Sequence, residues 1–149
     1  KISLCGNMSV KKDMTDDVNK IIKEFHNHIF KVLKICNKLE PNNIELKSLQ
    51  GKLSIARDSL PFLIIDRCKD KVWLHREHII TKNEDFFLQN KFLEYIKDDE
   101  NKSFMHSMID LIKCRYREMS DSEKKIVWNL IQAILKSIVE YKTAIGDFV

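Results

Sequence analysis

The residues of this chain best suited to metal or redox chemistry are its five histidines and four cysteines, and their spacing argues against both. A carboxylate-bridged metal pair in a helical bundle needs Glu three residues before His, so that both side chains face inward. Three residues before His26, His28, His75, His78 and His106 stand Lys23, Phe25, Val72, His75 and Ser103, none of them acidic. His75 and His78 could share one ion, but Glu77 between them points elsewhere. A zinc site would need two further ligands from distant segments. His26 and His28 diverge by about 200° on a helix. All five histidines are expected at the surface, and no metal or other cofactor is expected.

Cys5, Cys36, Cys68 and Cys114 are separated by 31, 32 and 46 residues, with no Cys-x-x-Cys pair. Three of them, Cys36, Cys68 and Cys114, fall on apolar helical faces. The expectation is reduced, buried thiols in a reducing compartment. A thiol on an apolar face is inert unless a base is brought near it. There is no Gly-x-Ser-x-Gly elbow and no phosphate-cradling glycine loop. Paired carboxylates occur in charged loops such as Asp98-Asp99-Glu100. These observations point to a protein that is not an enzyme.

One surface pattern stands out. With Lys20 at 0° on a helical wheel, Lys23, Lys31, Lys34 and Lys38 fall at about 300°, 20°, 320° and 0°. The apolar side of the same helix centres near 160°, directly opposite. Phe30, at about 280°, lies at the edge of the lysines and away from the core. A lysine row with an adjacent aromatic can grip phosphates and stack on a base or another protein. Two features weigh against that use: the row has no Arg, the better phosphate fork, and Glu24 interrupts its edge.

Positioning such a row requires regular helices, and the chain is built for them. Its 149 residues are 44% apolar and 32% charged, with only three Gly and two Pro. A domain of this length buries roughly 68–70% of its unfolded surface, enough for a full core. The shortage of turn residues excludes a many-stranded sandwich or barrel. No run of about 18 apolar residues occurs, so no membrane-spanning helix is expected. Lysine outnumbers arginine 21 to 5 and alanine occurs three times, a bias typical of AT-rich coding. Residues 1–75 carry 14 basic and 9 acidic groups, net +5, whereas residues 76–149 carry 12 and 13, net −1.

Apolar spacing of three and four then delimits the elements. Val18, Ile21, Ile22, Phe25, Ile29, Val32, Leu33 and Cys36 share one face of a first helix. Asp13 or Thr15 is suited to cap it, Asp16 and Asp17 suit its positive end, and Pro41 stops it near Leu39. Residues 1–7 read as a clipped or non-native leader ahead of Met8, and residues 1–12 as a flexible leader to one helical domain over 13–149. Asn43 caps a second helix with Leu46, Leu49, Leu53, Ala56 and Leu60 inward. Gly51 lies inside it, at a cost of about 1 kcal/mol relative to Ala. Ser59 reads as the N-cap of a third helix reaching Ile80. The stretch 60–65 is apolar nearly all round, which predicts the most central element.

Asn83 caps a short segment holding Phe86 and Phe87. Phe92, Leu93, Tyr95 and Ile96 suggest an irregular helix, and 97–102 an exposed loop. Met105, Met108, Ile109, Ile112, Tyr116 and Met119 follow at helical spacing. Ser120 and Glu123 form a capping box opening the last helix, with Val127, Leu130, Ile131, Ile134, Ile138 and Tyr141 inward, Trp128 beside them, and Gly146 at its left-handed end. Trp73, Trp128, Phe86, Phe87 and Tyr116 are expected in the core. The sum is an all-α, single-domain bundle of five to six helices, centred on the third and last.

The order Ile79-Ile80-Thr81-Lys82-Asn83-Glu84-Asp85-Phe86-Phe87-Leu88, then Ile109-Asp110-Leu111-Ile112, then Ser122-Glu123-Lys124-Lys125-Ile126-Val127-Trp128 resembles a set of small, uncharacterised helical proteins of nucleocytoplasmic large DNA viruses. Those proteins pair an acidic-Phe-Phe element with a late Lys-x-x-Ile-Trp element. The similarity covers about residues 60–142. Where such proteins often carry a further Trp, Cys114-Arg115-Tyr116-Arg117 stands here. The resemblance implies a viral, cytoplasmic, non-enzymatic protein and supplies no site residues.

Three functions follow as expectations. The first is a non-catalytic protein-interaction or structural module. The second is a nucleic-acid-binding or acidic-partner-binding protein using Lys20, Lys23, Phe30, Lys31, Lys34 and Lys38. The third is a regulator that holds a partner's amphipathic helix in a groove.

Overall fold

A computed structural model describes residues 2–89 and 112–147, giving backbone alone for 2–15. Among these residues the chain is entirely helix and connecting turns. The helices are α1 (Ile2–Leu39), α2 (Ile44–Ser59), α3 (Leu63–Leu74), α4 (Arg76–Ile80), α5 (Glu84–Leu88) and α6 (Asp121–Ile145), with a further helical stretch over 112–116. The expected segments over 90–111 lie outside the described residues. No helix among the described residues is long and apolar enough to cross a membrane.

Helix α1 starts at Ile2, not near Asp13, and takes in the residues read as a leader. No proline interrupts 2–39, and a capping residue can sit in a helix interior where nothing forces a stop. Its inward face is as expected: Val18, Ile22, Phe25, Ile29, Val32, Leu33 and Cys36 are buried. The main seam lies between α1 and α6, where α1's Phe25, Leu33 and Cys36 and α6's Ile138 are fully enclosed. Helix α3 adds Ile65 to that set but is not the centre.

The start of α3 departs from expectation for a local reason. Ser59 is the last residue of α2, and Leu60 at φ −137° leaves the helix ahead of Pro61. Residues 60–62 become a turn, and α3 begins at Leu63 with no side-chain cap. Leu60 and Phe62 are therefore exposed, although the residues around them are apolar. The helix also breaks at His75, where Arg76 donates from Nη1 to the Trp73 carbonyl at 2.9 Å and satisfies a group near the break.

The other caps match their residues. Asn43 accepts from the Leu46 amide at 3.0 Å and Asn83 from the Phe86 amide at 3.2 Å. Ser120 accepts from the Glu123 amide at 3.2 Å while the Glu123 carboxylate accepts from the Ser120 amide at 3.3 Å. Gly146 closes α6 at φ 70°. That left-handed turn folds Asp147 back to Lys142 (3.2 Å) and Lys69 (2.6 Å). Tyr141 donates to Asp66 at 2.7 Å. The end of α6 is thereby tied to α3, and Lys142, 4% exposed, is buried with its charge matched by Asp147 and Asp70.

A smaller cluster joins the start of α6 to 112–119. Tyr116, Met119, Val127 and Trp128 are buried together, and Phe87 meets the Trp128 ring edge-on at 5.6 Å. The indole donates to the Tyr116 hydroxyl at 2.8 Å, which itself donates to the Glu84 carboxylate. Burial, then that carboxylate, pushes the phenol up to about 12. Arg115 anchors the same region to the end of α1 through Glu40 at 3.0 Å.

Candidate functional site

Lys20, Lys23, Lys31, Lys34 and Lys38 of α1 are all exposed, and among the described residues none of these five is held in a salt bridge. They line the side of α1 opposite Phe25 and Leu33, as the spacing requires. Phe30 does not join them. It is half-buried against the core, and the Arg57 guanidinium of α2 covers its ring at 4.4 Å. A ring already sandwiched in this way offers no free face for a base.

The row gains something that spacing within α1 could not reveal. His28 is held below its ordinary value first by burial and then by Lys31, with Lys136 of α6 adding to the effect and Glu24 opposing it. Lys136 therefore lies close enough to extend the basic surface from α1 onto α6. Its contribution depends on how α6 packs, which no local pattern encodes.

Two of the histidines correct the surface expectation, while His28 and His78 are partly exposed and His106 lies outside the described residues. His26 and His75 are 5% and 4% exposed. Burial, then the Arg57 charge, lowers His26. Burial, then His78 and Lys71, lowers His75 to about 4. His78 stacks on Phe86 at 3.8 Å between ring centroids, and its Nδ1 accepts from the Asn83 amide group at 3.0 Å. Phe86 also lies 5.1 Å from the His75 ring. The His75–His78 pair is thus packed against the Phe86 ring. Among the described residues no group of three metal-ligating side chains comes together.

The thiols divide. Cys36 and Cys68 are buried, whereas Cys114 is exposed, contrary to its apolar-face assignment; none of the three forms a disulfide. Cys114 lies on the outer side of the 112–116 turn, since the inner side is taken by Tyr116 and Ile112. Burial, then the Glu40 charge, pushes Cys36 up to about 12, so it stays a neutral thiol.

The feature sequence reasoning passed over is the outer side of α2. Ile44 is 81% exposed and Ile55 is 68% exposed. They are eleven residues apart, which returns to the same side of a helix, about 20° apart. Ser48 and Gly51, both exposed, lie between them on that side. Leu46 and Leu53, on the opposite side, are buried. Helix α2 therefore carries one apolar row into the core and a second into solvent. The signal was present in the Ile-x3-Ser-x2-Gly-x3-Ile spacing, but the inward leucines masked it.

No protein-family model, curated protein or solved structure matches this chain. Its chemistry is read from these surfaces.

Proposed function

We propose that this chain is a non-catalytic helical module that works by binding a protein through an outward helix face. The observation that carries the reading is the outer row of α2, where two isoleucines stand in water at helical register. What sets these two apart from the other exposed apolar side chains is that they share one face of a single helix, the arrangement by which a helix presents anchors to a partner. The viral, cytoplasmic setting implied by the resemblance would place such a partner in a host cell.

The test is affinity purification from the source cells with mass spectrometry, with and without nuclease. A stoichiometric protein, this chain or another, that survives nuclease and is lost from Ile55→Lys supports the reading. Retention of no other protein, together with a chain that stays monomeric in concentrated solution, overturns it.

A second reading rests on the exposed, unpaired lysine row and its extension to Lys136. It makes the chain a nucleic-acid binder. Five phosphate contacts on a duplex give a slope of roughly −4 to −5 in log affinity against log salt. Lys31→Glu with Lys34→Glu should abolish binding, and absence of binding at low salt sinks this reading.

A further inference from the structure

The outer row of α2 has the spacing of a helix–helix seam. Ile44, Ser48, Gly51 and Ile55 are separated by four, three and four residues, the alternation that brings one side of a helix against a partner helix. Nothing among the described residues explains Gly51. It is a poor helix residue, its φ is not left-handed, and a Cβ there would meet nothing within 4 Å. Two large residues at the ends and two small ones in the middle form a pattern with a definite complement.

That complement is the same row reversed. In an antiparallel pair, Ile44 falls against Ile55 of the partner subunit, and Ser48 falls against Gly51 of the partner subunit. Both contacts then repeat by symmetry. The small central layers let the axes approach closely, and the isoleucines meet at either end. Charge agrees with this direction. Glu45 and Lys52 flank the row on the same side, both exposed, and among the described residues neither is held in a salt bridge. In the antiparallel pair each Glu45 faces Lys52 of the partner subunit, twice per dimer. A parallel pair would instead set Lys47 against Lys52 of the partner subunit on both sides, which repels. Size and charge therefore favour the antiparallel orientation and make a second copy of this chain a matching occupant.

We infer that α2 is a self-association element, and that two copies of this chain pair antiparallel through Ile44, Ser48, Gly51 and Ile55. This rests on the reading of the chain as an interaction module and names its partner as a second copy. Four layers make a small interface, so the dimer is weak and forms only in concentrated solution.

Sedimentation equilibrium from about 5 to 500 µM tests it. The wild-type chain should pass from monomer to dimer over that range. Ile55→Lys and Gly51→Leu should each weaken the dimer at least about tenfold (a penalty of ~1.4 kcal/mol or more), with the circular dichroism of the dilute monomer preserved and its melting no lower, since both side chains would point into solvent. Lys52→Glu should also weaken it, and Glu45→Lys added to Lys52→Glu should restore affinity to within about threefold, because the swapped pair regains its match. A chain that stays monomeric at 500 µM overturns the inference, as does a dimer indifferent to both Ile55→Lys and Gly51→Leu. If the chain stays monomeric while a different protein is captured and lost on Ile55→Lys, self-association fails and the interaction-module reading stands.

Discussion

Lowering the pH from 7 to 5 should destabilise this fold, with burial of His75 a main cause. The side chain is 4% exposed, and burial with His78 and Lys71 nearby holds its pKa at about 4, against 6.5 for a free histidine. A folded-state pKa below the unfolded one means that the unfolded chain binds more protons between the two values. Stability is therefore full above about pH 6.5 and falls as the pH drops toward 4. The gap is worth about 3 kcal/mol in total at ~1.36 kcal/mol per pH unit, and roughly 2 kcal/mol of it is lost between pH 7 and 5. His26 and His28 are lowered as well and act in the same direction. The lowered carboxylates, Glu40 and Asp147, are held down by hydrogen bonds from Asn43 and Lys69 respectively. Their contributions are lost only below their ordinary values of 4.5 and 3.8, outside this window. Urea unfolding of dilute protein at pH 7, 6 and 5 and constant ionic strength measures the loss. His75→Gln removes the titrating ring, so the variant should lose about 2 kcal/mol less than the wild type over the same interval, whatever its stability at pH 7. Equal pH dependence in the two proteins would falsify the argument that burial of His75 sets it.

Three further outcomes follow from packing and caps. Ser120→Ala removes the hydroxyl that accepts from the Glu123 amide, leaving the backbone half of the capping box, and should cost about 1 kcal/mol, read as a lower melting temperature. Phe25→Ala empties a fully buried site in the α1–α6 seam and should cost about 3–5 kcal/mol in urea, enough to unfold a marginal domain. Gly51→Ala, measured on dilute monomer, should stabilise by about 0.4–1 kcal/mol because the new methyl meets nothing and the unfolded chain loses freedom.

What the sequence made legible was local. Asn43, Asn83, Ser120 with Glu123, and Gly146 mark helix ends by side-chain chemistry that acts within four residues, and each sits where that chemistry puts it. The inward face of α1 was equally readable, because one stripe of eight residues has only one side to bury. Contacts between elements were not readable. Phe30 is covered by an arginine 27 positions on, and Lys142 is buried because Asp70, 72 residues earlier, and Asp147 match its charge. His75 became core because the chain breaks there and brings Phe86 beside it. Leu60 and Phe62 are apolar yet exposed, because Pro61 turns the chain before α3 can form. Hydropathy reports what a residue prefers, and the packing of distant helices decides whether that preference is met.

The two outward rows of this chain differ in what water does to them. Lysines on α1 are well solvated, so that row is stable without a partner and gains binding energy only if an acidic surface is supplied. The isoleucines on α2 are in the opposite position: leaving Ile44 and Ile55 in water forgoes roughly 1.5–3 kcal/mol each that burial would return. Gly51 adds a helix-propensity cost of about 0.8–1 kcal/mol with no contact among the described residues to offset it. A solvated charge row is the ordinary outside of a helix in a lysine-rich protein. An apolar row with an unexplained glycine at its middle costs stability in the isolated monomer, and covering it recovers that stability. The physical argument for function therefore rests on α2, and the lysine row of α1 enters only if its salt-dependent binding is observed.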